Sequence, residues 1–332
     1  GEPLKVAQEN KPLITKAEVL LTRRCNIICG TCKVIEPAMD PKSGRPTSQH
    51  LIREMETEQW RQAFDVVYDK LGGTFVALYG GEPLVYGDDR LEEVIKILAA
   101  KRDDIRDFTI ISNGIGFTRE RAKRFVDAGL ESWTSSVDTS EVGADIGDKY
   151  MQAKTSAGLK SLAMMRNEFS LRDTCGIVTV TAKNIDQVIP TVRWLCDNGH
   201  WVGIDLLHWN RGDGEYTFSS EKEDMDMLGL TLSERHLDKL SEVATYLIDH
   251  HEDLLVFPTK RVLEMWKDPR FSLDLTWKCT PGHALTIDSN GQIGLCDDRM
   301  PNRYGEERTK LLPKGRPWHI LDFDHQTDLD TR

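Results

Sequence analysis

The chain has 332 residues, of which 39% are hydrophobic and 29% are charged, and its formal net charge is −11. This ordinary globular composition lacks any run of about 18 apolar residues, which argues against a transmembrane helix. The negative charge disfavours a large nucleic-acid interface, because phosphate polymers would be repelled.

The first predicted element is a short strand over residues 17–22, which leads directly into Cys25, Cys29 and Cys32. Their C-x3-C-x2-C spacing favours either a disulfide cluster or a metal or iron–sulfur site. Seven cysteines without a secretion signal predict reduced thiols in a cytoplasmic compartment, which disfavours disulfides. Three thiolates would leave one iron of a four-iron cluster open, whereas a zinc ion would require a fourth ligand.

Helices and strands alternate after the cysteines. Apolar residues at i, i+4 and i+7 predict a helix over 58–71, which ends at two glycines. Further strands are predicted over 74–79, 108–112, 132–137, 174–181 and 201–207, and further helices over 91–100, 118–128, 153–167 and 185–198. Six strands alternating with helices predict a parallel sheet, open or curled into a partial barrel.

Polar or glycine-bearing stretches follow the second to sixth strands. They contain Gly80, Gly81, Glu82 and Pro83, then Ser112 and Asn113, then Ser136 and Asp138, then Asn184, and finally His208. Ligands bind at the C-terminal ends of parallel strands, so these residues predict a site on one rim, with His208 near the substrate. Simpler interpretations remain open, since Gly-Gly-Glu-Pro could be only a turn and Asp138 only a helix cap.

The regular alternation ends near residue 215. Helices are predicted over 233–251 and 259–267, with a short strand over 254–257 between them. Asn290-Gly291 between two short apolar runs predicts a β-hairpin, which would bring Cys279 and Cys296 near each other. Cys175 and Cys196 lie within apolar strand and helix patterns and are predicted to be buried structural thiols.

Four motifs follow the first four predicted strands in order: C-x3-C-x2-C, Gly-Gly-Glu-Pro, Ser-Asn-Gly and Ser-Val-Asp. Together they resemble the radical S-adenosylmethionine (SAM) enzymes over about residues 15–215. The resemblance implies an α/β fold with a partial (βα)6 TIM-like barrel over residues 1–215. Residues 216–332 would form a small C-terminal α+β extension, whose C-x16-C hairpin is similar to a truncated twitch/SPASM extension.

The resemblance also implies the chemistry and its residues. Cys25, Cys29 and Cys32 would hold a [4Fe–4S] cluster whose open iron binds SAM, and the strand-end residues from Gly80 to Asn184 would contact SAM. Reduction by a partner such as flavodoxin or ferredoxin would generate a 5′-deoxyadenosyl radical that abstracts hydrogen from the substrate. Thr31 departs from the family pattern, in which the residue before the third cysteine is commonly aromatic.

The role of the C-terminal cysteines is left open by the resemblance. Cys279 and Cys296 would be hydrogen-atom donors to a substrate radical or buried thiols. An auxiliary iron–sulfur cluster is the less favoured interpretation, because these two thiolates would need His283 or Asp297 to complete a ligand set.

The expected substrate is a small molecule of sugar, aminoglycoside or nucleoside type. Family members that modify peptides often carry a leader-binding domain ahead of the barrel, whereas the first strand here begins about 16 residues into the sequence. A peptide-modifying enzyme without such a fused domain is the alternative within the family. A non-catalytic iron–sulfur or zinc protein is the alternative of another class, and membrane and nucleic-acid partners are not expected.

Overall fold

A computed structural model of the chain describes residues 15–27, 29, 32, 54–147, 149–207, 229–250, 256–257, 260–267, 284–294 and 318–322. The strands are β1 (Lys16–Thr22), β2 (Phe75–Gly80), β3 (Asp107–Ser112), β4 (Ser132–Ser136), β5 (Asp173–Val180), β6 (Trp201–Leu206), β7 (Val256–Phe257), β8 (Ala284–Ile287), β9 (Gln292–Gly294) and β10 (Trp318–His319). The helices are α1 (Thr57–Asp65), α2 (Asp88–Ala99), α3 (Arg119–Asp127), α4 (Lys149–Asn167), α5 (Val188–Asp197), α6 (Leu237–Asp249) and α7 (Lys260–Lys267).

The strands form one sheet in the order β10-β9-β8-β1-β2-β3-β4-β5-β6-β7. Every neighbouring pair from β8 to β7 is parallel, and the β8–β9 and β9–β10 pairs are antiparallel. Among the described strands the sheet is open, with β10 and β7 outermost. The predicted α/β fold is therefore confirmed: the first six strands run parallel with intervening helices, as a partial barrel requires.

The two faces of the sheet differ in polarity. Val178 and Val180 of β5 belong to the apolar core that contains the helices, whereas Thr179 between them points to the opposite face. The same alternation places Glu18, Thr109, Thr134, Asp205 and Thr286 on that opposite face. This polar face of the sheet, opposite the apolar core, therefore carries hydroxyls and carboxylates.

The C-terminal strands extend the same sheet. β8 pairs in parallel with β1, from Lys16 opposite Ala284 to Val19 opposite Ile287. The predicted hairpin at Asn290-Gly291 is present, because β9 runs antiparallel to β8 with Gly291 in the turn at a φ of 85°. The expected division at residue 215 lies outside the described residues, but the segments on either side of it share one sheet.

Each predicted helix differs from the observed one by one to six residues at one or both ends, and two of these differences have a clear physical cause. The helix expected over 58–71 is α-helical only to Asp65 and continues as a π-helical turn, Val66–Lys70, in which Leu71 N donates to Val66 O at 3.0 Å. α4 begins at Lys149 rather than 153, because its first turn buries Met151 completely. In the part of the chain that the structure describes, no helix combines the length and apolar character needed to span a bilayer.

Candidate functional site

The cysteine loop leaves the C-terminal end of β1 at the rim of the sheet, and Cys25, Cys29 and Cys32 are each half-buried. Cys32 N donates a hydrogen bond to Cys29 O at 3.0 Å, which holds these two cysteines close together. Among the described residues, no three His, Cys, Asp or Glu side chains converge on a single metal ion. A four-iron cluster sets a different requirement, because its thiolates bind different irons.

Arg23 ties the cysteine loop to the C-terminal hairpin. Its guanidinium forms a bidentate ion pair with Asp288, with Nε 2.9 Å from Oδ1 and Nη2 2.6 Å from Oδ2. Arg23 is 4% exposed and Asp288 is completely buried. The Asp288 carboxylate also accepts a hydrogen bond from Ser289 N at 2.7 Å, so it orders the hairpin turn as well. The residue two positions before Cys25 is thus anchored to the hairpin.

Arg24, the next residue, is bound by a different carboxylate. Its Nε and Nη2 atoms donate to Oε1 and Oε2 of Glu54 at 2.8 and 3.0 Å. Glu54 also accepts hydrogen bonds from Thr22 Oγ1 and from Arg90 Nη1. Burial alone would raise the pKa of Glu54, but the hydrogen bonds from Arg24, Thr22 and Arg90 lower it below its ordinary value. The cysteine loop is therefore held on two sides by charged residues.

The Gly-Gly-Glu-Pro turn after β2 packs directly on the cysteine loop. Gly81 N donates to Thr22 O at 2.7 Å, and Glu82 N donates to Arg24 O at 2.8 Å. A Cβ atom at Gly80, which has a φ of 143°, would lie 2.1 Å from Thr22 O, and one at Gly81 would lie 2.1 Å from Arg24 O. The glycines are required for this contact between two loops, and their approach to SAM stays a prediction.

We expect Gly81→Ala to lower the free energy of unfolding by about 1–3 kcal/mol, because the added methyl group overlaps a backbone oxygen that cannot rotate away. We also expect a lower iron content after anaerobic reconstitution, since the cysteine loop must shift. Urea unfolding and iron analysis measure the two effects. Gly87→Ala is the control for iron content: a Cβ there meets nothing within 4 Å, although a φ of 112° makes the alanine itself costly to the fold. An iron content equal to that of the control would contradict the prediction.

Glu82 is a buried carboxylate that links the turns after β2 and β3 by hydrogen bonds. Only 1% exposed, it accepts hydrogen bonds from Ser112 Oγ (2.7 Å) and Leu84 N (3.0 Å) on Oε1, and from Asn113 N (2.7 Å) on Oε2. Burial raises the pKa of Glu82 to about 7 although these hydrogen bonds oppose the shift. Pro83 begins the short 3-10 turn that follows. The Ser112 hydroxyl thus donates its hydrogen bond to the Glu82 carboxylate.

The ends of β4 and β5 are joined by a second polar network. Asp138 is completely buried, and its Oδ2 lies 2.9 Å from Lys154 Nζ. Asn184, also buried, donates from Nδ2 to Asp138 O at 2.9 Å and to Thr179 O at 2.8 Å. Asp138 is therefore an ion-pair partner, while Ser136 remains half-buried at the rim. SAM contacts by Ser136, Asp138 and Asn184 stay predictions.

Lys154 is a candidate site residue that the motifs did not reveal. It lies on α4 and is 8% exposed. Burial would lower the pKa of Lys154, but the Asp138 carboxylate and the thiols of Cys29 and Cys32 outweigh it and raise the pKa above its usual range. The available signal was a lysine on the apolar stripe of α4, between Met151 and Gly158. A charged residue at such a position needs a partner.

Several predicted residues lie elsewhere. His208, Cys279 and Cys296 fall outside the described residues. Cys175 and Cys196, which were expected to be buried, are half-buried. Burial raises the pKa of Cys175 to about 12, as an unreactive thiol would show. Cys175 pairs with Trp201 near the start of β5, which is the end of the sheet opposite to the cysteine loop.

Comparison with protein families identifies a family model that matches most of the residues described above. The family model described as the Radical SAM superfamily matches residues 19–211. Similar proteins include the GTP 3′,8-cyclase of Aquifex aeolicus (strain VF5), 28% identical over 182 residues, which are 54% of this chain and 52% of that protein. The enzyme of the same name from Synechococcus sp. (strain CC9902) is 29% identical over 191 residues, 54% of this chain and 51% of that protein. This chain thus spans about half the length of the curated relatives it matches.

Solved structures show the same fold at lower identity. Streptococcus suis SuiB bound to S-adenosylmethionine superposes with a TM-score of 0.61 and 13% identity over 95% of this chain and 65% of that chain. The anSMEcpe protein with bound AdoMet and Cp18Cys peptide gives a TM-score of 0.59 and 14% identity over 94% of this chain and 79% of that chain. At these identities the likeness concerns the fold alone.

Proposed function

The chain belongs to the radical SAM superfamily, whose cofactors are a [4Fe–4S] cluster and SAM, and from this membership we propose that it catalyses a hydrogen abstraction started by a SAM-derived radical. The observation that carries the proposal is the position of Cys25, Cys29 and Cys32 on one loop at the C-terminal rim of a parallel sheet. When bound, the reduced cluster and SAM supply a 5′-deoxyadenosyl radical that can take a hydrogen atom from a C–H bond.

The donor set fits such a cluster. Three thiols on one loop leave one iron without a protein ligand, as binding of SAM requires. Burial raises the pKa of the Cys25 thiol to about 12, so a thiolate at this position needs a nearby cation; a coordinated metal ion would take the place of the thiol proton, which would be released to solvent. Cys29 packs against an apolar cluster of Ile146, Met151, Leu207 and Leu230, which limits solvent around the sulfur.

We propose Lys154 as the partner of the SAM carboxylate. Its ammonium lies near the thiols of Cys29 and Cys32, and Asp138 holds it in place from inside the protein. A buried cation beside the cluster loop offers the charge that a carboxylate seeks. Among the residues predicted from the motifs, Gly81 and Ser136 retain half-buried positions for direct contact with SAM. Glu82, Ser112, Asp138 and Asn184 then act by shaping the rim.

The substrate that we propose is a small polar molecule of sugar, aminoglycoside or nucleoside type. The polar face of the sheet supports this class, because Asp205 is exposed and Glu18 is half-buried there beside several hydroxyl groups. The sequence relatives named GTP 3′,8-cyclase add support for the nucleoside type. An enzyme of this superfamily also needs an external electron donor, and we propose a flavodoxin or ferredoxin.

A peptide substrate is the second candidate. It is favoured by the solved structure of S. suis SuiB bound to its precursor peptide SuiA, which shares the fold with a TM-score of 0.60. The identity of 13% leaves the small polar molecule as the first choice. Deuterium transfer from each kind of candidate into 5′-deoxyadenosine would distinguish the two classes, because the radical acquires the abstracted atom.

The test of the proposed function is anaerobic reconstitution of the wild-type chain, Cys29→Ala and Cys175→Ala. For the wild type and for Cys175→Ala we expect at least about four irons per chain, a cluster spectrum that changes on adding SAM, and 5′-deoxyadenosine when dithionite is supplied. Near eight irons would indicate an auxiliary cluster in addition. Cys29→Ala should lose the SAM-dependent change and the product. A wild-type chain with neither signal would overturn the proposal.

A further inference from the structure

Asn113 presents its side-chain amide to the first cysteine of the loop. Its Nδ2 atom lies 3.8 Å from Cys25 Sγ and donates to Asn26 Oδ1 at 2.8 Å. The amide oxygen is identified by a separate contact, because Asn113 Oδ1 accepts a hydrogen bond from Ile115 N at 2.8 Å. The oxygen faces a backbone donor, so the two N–H groups must face Asn26 and Cys25.

The surroundings hold this amide in one orientation. Asn26 Nδ2 donates to Ile115 O at 3.0 Å, so the two asparagines are tied to the same residue. Asn113 N donates to Glu82 Oε2 at 2.7 Å, and this hydrogen bond fixes the backbone at Asn113. Asn113 is 8% exposed, so water competes little with its contacts. These contacts leave the amide N–H groups of Asn113 directed to Asn26 and Cys25.

We propose that Asn113 is a positioning residue that donates an N–H···S hydrogen bond to Cys25 and thereby raises the reduction potential of the cluster that Cys25 helps to hold. The inference rests on the proposed function, since it requires a cluster at Cys25. Reduction adds one electron, taken from a one-electron donor of low potential, to the cluster and its sulfur ligands. A hydrogen bond to sulfur stabilises the electron-richer reduced form more than the oxidised form.

This role would oppose other features of the site. Cys25 is partly withdrawn from water, and burial disfavours added negative charge. The Glu82 carboxylate also lies close enough to disfavour a negative charge on the Cys25 sulfur. The Asn113 amide supplies an oriented neutral donor to this sulfur. Its removal should therefore make the cluster harder to reduce without removing any ligand.

The test is an EPR-monitored redox titration of the reconstituted wild type and Asn113→Leu, which is similar in size and carries no donor. At the wild-type midpoint we expect the ratio of reduced to oxidised cluster to fall about tenfold, equivalent to a midpoint about 59 mV more negative. Thr118→Ala is the matched control, because it removes a polar contact, 3.3 Å to Arg121 N, from the same β3–α3 connection without approaching sulfur.

Asn113→Ser provides a second variant in case the leucine variant does not fold, because its neutral hydroxyl can still accept a hydrogen bond from Ile115 N, while the shorter side chain lacks the amide N–H groups that face Cys25. A midpoint more negative than that of the control in a variant that folds supports the inference. A midpoint equal to that of the control in the variants that bind a cluster, or failure of both variants to bind one, overturns it. A wild-type chain without a cluster would instead overturn the proposed function on which the inference rests.

Discussion

Asp288→Asn is expected to destabilise the protein by about 3–5 kcal/mol, because it leaves the buried guanidinium of Arg23 without its balancing charge. Asparagine keeps an oxygen for Ser289 N, so the substitution removes the charge while preserving the hydrogen bond that orders the turn. Urea unfolding measures the loss. We expect the iron content after reconstitution to fall as well, since Arg23 lies two residues before Cys25.

Asp127→Asn is the matched control for this prediction. Asp127 forms an ion pair with Lys123 at 2.6 Å, but the side chains are 61% and 65% exposed. The same chemical change at this surface should alter the free energy of unfolding by no more than about 0.5 kcal/mol. Equal effects of the two substitutions would contradict an anchoring role for the Arg23–Asp288 pair. An unchanged iron content in Asp288→Asn would separate its effect on the fold from any effect on the cluster loop.

Lys154→Met is expected to weaken SAM binding about 10- to 100-fold, the range for loss of a charged hydrogen bond worth about 1.5–3 kcal/mol. The same substitution should also lower the free energy of unfolding, because it leaves the carboxylate of Asp138 buried without its cation. Equilibrium binding of SAM to the reconstituted protein and urea unfolding measure the two effects separately.

The double variant Asp138→Asn/Lys154→Met separates binding from stability. It replaces the buried ion pair by two neutral side chains of similar size, which should restore most of the lost stability. The asparagine oxygen can still accept the hydrogen bond from Thr179 N, which is 3.3 Å from Asp138 Oδ1 in the wild type. SAM binding should remain weak, since the ammonium is absent. Recovery of wild-type affinity in the double variant would show that Lys154 acts only through the fold.

The order of elements was predictable because local patterns determine it. Six strands alternating with helices, and the Asn290-Gly291 hairpin, follow from apolar periodicity and turn residues within short stretches of sequence. The π-helical turn at Val66–Lys70 was not predictable, since its apolar pattern is that of an ordinary helix. The start of α4 was placed too late for a related reason: Lys149 and Tyr150 precede its apolar stripe but lie within the helix.

The strand-end residues were predictable as a group and less so as individuals. Their position after parallel strands places them on one rim whatever their contacts. Glu82 and Asn184 nevertheless direct their polar groups into the protein, to Ser112 in one case and to Asp138 O and Thr179 O in the other. A motif does not specify whether a carboxylate or amide faces outward, because that depends on donors contributed by other strands.

By itself the sequence determined the family, the parallel sheet and the loop that carries Cys25, Cys29 and Cys32, because each depends on spacing between neighbouring residues. Only the tertiary structure decided what surrounds that loop. Arg23 and Asp288 are separated by 265 positions, and Cys25 and Asn113 by 88. No local pattern carries such pairings, since they exist only once β8 pairs with β1 and the ends of successive strands come together at one rim.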